Sequence, residues 1–386
     1  MSPVTPSSWI ELSESALRSN VRYIRKQVGP RPIISCVVKA NAYGHSIPVF
    51  VPLAESCGIH HFCVYCAGEA EAVLASRTTP GTILIMGDID NDDLEWAVAN
   101  EIAFFVSELS RLRAAEKAAR RVGKAARVHL EVETGMHRTG LSARGLSAAT
   151  QRCLKHPELL CLEGICTHFA GAESSANYKR VMDQILVYRD RIRQLNELGA
   201  RGVLRHAASS AATFSFPETI DDLVRVGIAL YGFWPSPETR MMHLKGQVRV
   251  RPTLKRVISW NSRVINLKQV SRGEFIGYGN SYLSMQRMKI AVVPVGYHDG
   301  FDRGLSNRGH VLIGGQRCPV VGMVNMNMMT VDVSGLPNVA PSDPVVIIGH
   351  QGNDEITVSA FGAGTNDLTY EILARLDRDI DRVVVD

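Results

Sequence analysis

Lys39 stands in the stretch "CVVKANAYGHS", directly after the apolar run Ile33, Ile34, Val37 and Val38 and directly before a polar turn containing Gly44. A short β-branched run ended by turn residues reads as a buried strand, so the amine stands at the strand's C-terminal end. A lysine there can form an imine with an aldehyde cofactor or a carbonyl substrate, or it can snorkel to solvent with no further role. Other segments repeat the arrangement. Arg138 follows the run in "EVETGMHRTG", His168 follows it in "CTHFAG", Ser209 and Ser210 in "RHAASSAAT", and Arg225 lies in "VRVGIALYG".

These residues converge only if the strands that carry them share one sheet and one direction. Between residues 30 and 232 eight strand-like runs ("IISCVV", "HFCVY", "TILIMG", "IAFFVS", "RVHLEVE", "LEGICTHF", "VLRHAA", "VRVGIALYG") alternate with helical segments. Leu17, Val21, Ile24 and Val28 set the helical period before the first run, and "ELSRLRAAEKAARRVG" follows the fourth. Eight such units predict a (β/α)8 TIM barrel, with an open doubly wound sheet as the alternative. In a barrel the strand C-termini form one mouth, where active sites lie. After "GFWPSPETR" the pattern changes to closely spaced β-type runs from "RVISWNSRVINLKQV" to "PVVIIGH", with helices nearly absent until "NDLTYEILARL". The expected organisation is a barrel over 12–240 and a mostly β domain over 241–386 plus an N-terminal strand in 1–11, suggested by the early "SSWIEL".

The totals narrow the function classes. A 386-residue chain with 45% hydrophobic and 21% charged residues suits a two-domain globular protein. The formal charge of +5 is too slight for a nucleic-acid groove, and the basic cluster "RLRAAEKAARRVGKAAR" reads as a solvated helix face. The start "MSPVTPSSWIELSES" has neither a basic start nor an apolar core of signal-peptide length, and no run is long and apolar enough to span a membrane. The expectation is a cytoplasmic protein with neither nucleic-acid nor membrane partners. Most of the eight cysteines sit in apolar runs, and "CVYC" (Cys63, Cys66) has no second pair to complete a metal site, so no metal is expected.

An imine-forming lysine at a barrel mouth points to pyridoxal phosphate if an anion cradle is present. The Ser209 and Ser210 hydroxyls and the backbone N–H groups near Gly227 could supply one. The stretch "VVKANAYGHS" closely resembles the pyridoxal-phosphate attachment motif of alanine racemases. "VETGMHRTG", "THFAGAE", "VRVGIALYG", "GYGNSY", "PVGYHDGFDRGLSNRGHVLIGGQRCPVVG" and "LTYEIL" resemble further landmarks of that family, in order along essentially the whole chain. The resemblance implies a pyridoxal-phosphate-dependent racemase of a small amino acid, a homodimer with shared active sites, in which Lys39 and Tyr278 of the partner copy act on opposite faces of the substrate. A phenol ordinarily keeps its proton at neutral pH. The resemblance supplies its help as a chain from tyrosine to histidine to arginine, matched by His168 and Arg225. It further implies that Arg225 donates to the pyridine nitrogen, that Tyr43, Ser210, Gly227, Ile228 and Tyr370 hold the phosphate, and that Arg138 and Met326 face the substrate carboxylate. Tyr297 and Arg303 resemble entrance and supporting residues.

Two departures bear on specificity. Many members of the family have cysteine, methionine and aspartate where this chain has Asn325, Met326 and Asn327, which removes a carboxylate and leaves serine or a broader amino-acid set beside alanine; Tyr370 favours alanine by crowding the pocket. Many also place a lysine, carbamylated in use, where this chain has Glu131. Residues 129, 131 and 133 of a strand share a face, so Glu131 is expected to turn its carboxylate towards Arg138. The other readings are a decarboxylase of the same fold, whose glycine-triplet phosphate loop is missing here, a pyridoxal-phosphate carrier without catalysis, and a scaffold that has lost activity.

Overall fold

The computed structural model describes residues 5–244, 254–365 and 368–386. Two compact units form: one from Ser15–Lys39 and Phe50–Lys255, the other from Met1–Glu14, Ala40–Val49 and Arg256–Asp386. Strand β1 (Ser8–Ser13) belongs to the second unit. The first unit holds β2 (Ile33–Val37), β3 (His61–Val64), β4 (Thr82–Ile85), β5 (Ala103–Val106), β6 (Ala126–Glu131), β7 (Leu160–Cys166), β8 (Leu204–His206) and β9 (Leu223–Val226).

These eight strands are parallel neighbours in the order β8-β7-β6-β5-β4-β3-β2-β9. The ring closes where the Asp222 N–H donates to the Arg205 carbonyl at 3.1 Å and the Arg225 N–H to the Ala208 carbonyl at 2.9 Å. The eight-stranded barrel read from the sequence is therefore observed. Strands β3 and β5 are buried throughout, which explains why their sequences are continuous apolar runs without alternation. The flanking helices bury one stripe each. In Glu14–Val28 the buried residues Ala16, Leu17, Asn20, Tyr23, Ile24 and Val28 recur at helical spacing. Helix Leu109–Val122 stops at Gly123, which takes a left-handed φ of 74°.

The β6–β7 ladder carries one irregularity. Val128 pairs with Leu162 but His129 pairs with Gly164, so Glu163 is an extra residue that bulges from β7.

In the second unit β10 (Ile258–Arg263), β11 (Asn266–Val270), β12 (Met288–Val293), β13 (His310–Ile313), β14 (Gln316–Pro319), β15 (Met329–Asp332), β16 (Pro344–Gln351), β17 (Asp354–Ile356) and β18 (Asp381–Val385) follow. One sheet runs β14-β13-β16-β10-β1-β18 with β17 on β16, and a second runs β11-β12-β15. The N-terminal strand thus lies between β10 and β18, with Ile10, Leu12 and Trp260 fully buried. Helix Val358–Thr365 was not expected, because its small-residue sequence carries no amphipathic stripe. Strand β18 was not expected either, since it is an edge strand whose half-exposed valines show no alternation. The expected C-terminal helix spans Thr369–Ala374; Asn366 and Asp367 of that stretch lie outside the described residues.

Candidate active site

The barrel brings the sequence-identified residues to its C-terminal mouth. Lys39 follows β2 by one residue beyond Val38, Glu131 ends β6, Arg138 lies in the loop after it, and His168 lies just past β7. Ser209 and Ser210 follow β8, and Arg225 and Gly227 end β9. The end of β2 is fixed from both sides: the Tyr231 hydroxyl donates to the Val37 carbonyl at 2.8 Å and the Val38 N–H to the Cys63 carbonyl at 2.8 Å. Lys39 still reaches solvent, yet the protein around it, and secondarily the Arg138 cation, lower its ammonium pKa. The neutral, nucleophilic amine is favoured as a result.

Arg225 is buried and accepts no carboxylate partner within ion-pair distance among the described residues. Its Nη1 lies 2.6 Å from His206 Nδ1 and donates to the His206 carbonyl at 2.7 Å, while Nη2 donates to the Thr167 carbonyl at 2.7 Å. The expected direct bond from Arg225 to His168 is not formed; the guanidinium is consumed by His206 and main-chain oxygens. His168 is nonetheless close enough for burial, and then the Arg225 charge, to push its pKa down to about 3, so its ring is neutral at physiological pH. His206 sits in the quoted stretch "RHAASS", but one interior-facing histidine among barrel residues offers no sequence signal that separates it from packing.

Ser210 is buried, and its Oγ accepts from the Gly227 N–H at 3.0 Å, which ties the ends of β8 and β9 into one polar corner beside Ile228. Ser209 takes a different part: its hydroxyl caps the helix Ser210–Ser215 by accepting from the Ala212 N–H at 3.4 Å.

The loop bearing Arg138 is held by a residue that sequence reading passed over. The Glu133 carboxylate accepts from the N–H groups of Gly135, Met136 and His137, the latter two at 2.8 and 2.9 Å, and these bonds outweigh burial to lower its pKa. Buried Gln184 joins this loop to the next by donating to Thr134 Oγ1 at 3.1 Å and to the His168 carbonyl at 3.2 Å, and by accepting from the Ala170 N–H at 2.8 Å. Glu131 is buried and its carboxyl pKa is raised by that burial, against the stabilising Thr139 hydroxyl and the Arg225 and Arg138 charges. It forms no ion pair with Arg138 among the described residues, so the expected contact is an electrostatic one at longer range. Glu133 lies past the end of β6 and caps its loop instead of extending the strand face shared by 129 and 131.

In the second unit, Ala40, Asn41, Ala42 and Tyr43 form a left-handed turn with φ of 53°, 53°, 56° and 50°. It is closed by the Gly44 N–H donating to the Ala40 carbonyl at 3.1 Å and the Ser46 N–H to the Asn41 carbonyl at 2.9 Å. Tyr43 is buried, with its ring centroid 6.0 Å from that of Tyr370. The Gly296–His298 segment is zipped to the Asn325–Met326 loop: Tyr297 N–H donates to the Asn325 carbonyl at 3.0 Å and His298 N–H to the Met326 carbonyl at 2.9 Å. A Cβ on Gly296 would lie 2.1 Å from the Asn325 oxygen, so only glycine permits the approach. Tyr297 and Met326 are thereby placed together with their side chains exposed, and Asn327 is exposed beside them. Arg303 opens a short 3-10 turn capped by Asp302. Tyr278 follows Gly277, whose φ is 75°, and is 73% exposed.

Residues 12–235 match the alanine racemase N-terminal domain and residues 257–384 the alanine racemase C-terminal domain. An alanine racemase of Leptospira interrogans is 34% identical over 383 residues, covering 99% of this chain and 97% of its own length. One from Symbiobacterium thermophilum is 36% identical over 381 residues, covering 97% and 96%. Among solved structures, the alanine racemase of D-cycloserine-producing Streptomyces lavendulae superposes with a TM-score of 0.89 at 29% identity, covering 99% and 98% of the two chains. That of Bartonella henselae, with covalently bound pyridoxal phosphate, gives 0.82 at 25%, covering 99% and 100%. With both domain models matched in order and relatives aligned nearly end to end, the chain belongs to the alanine racemase family.

Proposed function

We propose that this chain interconverts L- and D-alanine with pyridoxal phosphate, Lys39 holding the cofactor and exchanging a proton with the substrate α-carbon. The supporting observation is the place of Lys39 at the mouth of the barrel, where burial and the Arg138 cation lower its pKa and where Arg225 is anchored by carbonyl oxygens. The donor set fits the cofactor's chemistry. A lysine suits its aldehyde, Arg225 suits its pyridine nitrogen, and the Ser210–Gly227 corner with Ile228 suits its phosphate. What bound pyridoxal phosphate supplies is an electron sink that acidifies the amino acid's α-hydrogen.

The chain's own residues then divide the work. Arg138, on the loop clamped by Glu133, orients the substrate carboxylate; the resemblance assigns Met326 to the same carboxylate and Tyr297 to the entrance. The Lys39 amine, in its deprotonated form, accepts the α-proton on one face, and Tyr278 of a second copy returns a proton on the other, with His168 as a neutral partner. Arg225 cannot give up its proton, so it would donate to the pyridine nitrogen of the bound cofactor and would moderate the sink that the ring supplies. This reading makes the functional unit a homodimer in the cytoplasm, the latter supported by eight free thiols. Serine remains a competing substrate because Asn325 and Asn327 replace the family's more usual side chains.

Borohydride treatment of the purified protein should fix the cofactor to Lys39, located by mass spectrometry, and L-alanine should give racemic product. Mixing Lys39→Ala and Tyr278→Phe subunits should restore activity through one intact site per hybrid dimer. Cofactor on another lysine, or verified hybrids without recovery, would sink the respective part.

A further inference from the structure

The barrel interior, ordinarily filled by branched apolar side chains, here carries a row of polar groups that the reaction as described leaves unused. From Arg225 the row continues to His206, whose Nε2 lies 2.8 Å from His129 Nδ1. His129 Nε2 in turn faces Glu163 Oε2 at 3.6 Å, and the other Glu163 oxygen accepts from Arg127 Nε at 2.7 Å. Arg127 also donates to the Glu101 carbonyl at 2.7 Å. His61, held to Ser35 Oγ at 2.7 Å, is a further titratable neighbour. Both relay rings are buried, and burial lowers the pKa of each, so both are neutral.

The direction of this row is fixed by chemistry. A guanidinium is donor-only, so His206 Nδ1 must be an acceptor and its proton must sit on Nε2. That proton is donated to His129 Nδ1, which places the His129 proton on Nε2, facing the Glu163 carboxylate. The opposite set of tautomers would set two N–H groups against each other at 2.6 Å. Two backbone features serve the same row. Glu163 is the extra residue of the β7 bulge, and the next residue, Gly164, leaves the space that the His129 ring occupies.

We propose that Glu163 is a positioning residue for Arg225, acting through the aligned imidazoles of His129 and His206. Among the described residues Arg225 has no ion-pair partner of its own, and the relay offers it a carboxylate's counter-charge without placing that carboxylate beside the pyridine nitrogen. The link to catalysis rests on the racemase reading; the relay itself does not.

The test begins with cofactor-free protein labelled with 15N-histidine. Long-range 1H–15N spectra should show His129 and His206 each as a single Nε2–H tautomer. An Nδ1–H tautomer or an imidazolium at either ring overturns the proposal, even if racemisation is confirmed. Isosteric Glu163→Gln and apolar Glu163→Leu should both shift the His206 ring resonances. In the holoenzyme they should alter the cofactor absorption band and lower kcat about tenfold with KM for alanine unchanged, since small misplacements of a positioned group cost up to ~100-fold; Glu163→Asp should recover part of this. A Glu163→Gln protein whose His206 resonances and cofactor band match the parent rules the role out. Relay tautomers as expected in a protein that does not racemise alanine would support the relay and refute only the racemase reading.

Discussion

The His129 ring occupies the place of the side chain that Gly164 lacks: a Cβ on Gly164 would lie 2.0 Å from His129 Nδ1. The pair faces across β6 and β7 at the bulge, so neither residue can change alone. Gly164→Ala should destabilise the fold by about 1–3 kcal/mol, the usual range for overpacking a core, seen as a lower melting temperature. A melting temperature equal to the parent's would mean that the ring has room to move.

The lowered pKa of Lys39 has a direct pH consequence. Above its folded pKa the amine is free to react, so Lys39 of the cofactor-free protein should be labelled by an amine-directed reagent at a lower pH than the exposed lysines. Because Arg138 contributes to the lowering, Arg138→Met should move the Lys39 labelling profile towards higher pH. Residue-resolved mass spectrometry across a pH series reads both; an unmoved profile would remove Arg138 from the cause.

Glu131 gives the opposite sign. Its carboxyl pKa is raised on folding, so the stability it contributes is whole below the ordinary carboxylate range and is lost as the pH rises through the raised value. Relative to the parent, Glu131→Gln should therefore gain in melting temperature as the pH rises above about 4 and through the raised value. Its KM should rise about tenfold for each ~1.4 kcal/mol of substrate binding that Arg138 loses, and the parent's activity should not respond to dissolved carbon dioxide. Kinetics matching the parent would restrict Glu131 to packing.

Glu133→Ala releases three backbone N–H groups in the loop before Arg138. The expected result is a raised KM with kcat nearly preserved, because the orientation of the substrate carboxylate suffers while Lys39 stays in place. Faster amide exchange at 135–137 should accompany it. A fall in kcat alone would contradict this assignment.

Much of this site was legible because its residues announce themselves at strand ends. Lys39, Ser210 and Arg225 each interrupt an apolar run and Arg138 lies in the loop beyond one, and a parallel barrel turns such positions into one mouth. What escaped reading acts through three-dimensional pairing. Glu133 works through backbone N–H groups beyond its strand, Gln184 through a bridge from a helix to two loops, and His206 and His129 through a register that a bulge resets. A one-residue bulge leaves no mark in periodicity, and a buried histidine looks the same in sequence whether it packs or relays. Glu131 shows the limit of strand alternation as a guide: it is buried in the barrel, but burial alone did not bring it into contact with Arg138.

The left-handed turn Ala40–Tyr43 bears on how this protein can diversify. Each L-residue in that conformation costs about 1–2 kcal/mol, and the turn is secured within the second unit, where a Cβ on Gly44 would fall 2.0 Å from the Leu373 carbonyl oxygen and Arg382 Nη2 donates to the Gly44 carbonyl at 2.9 Å. The chain passes from Lys39 straight into this turn, so the backbone that follows Lys39 is shaped by residues more than 300 positions away. Recombination that exchanged the C-terminal segment as a cassette would disturb the lysine's neighbourhood unless residues 40–49 travelled with it. Functional inheritance in this lineage is thus expected to favour whole-chain descent over domain shuffling.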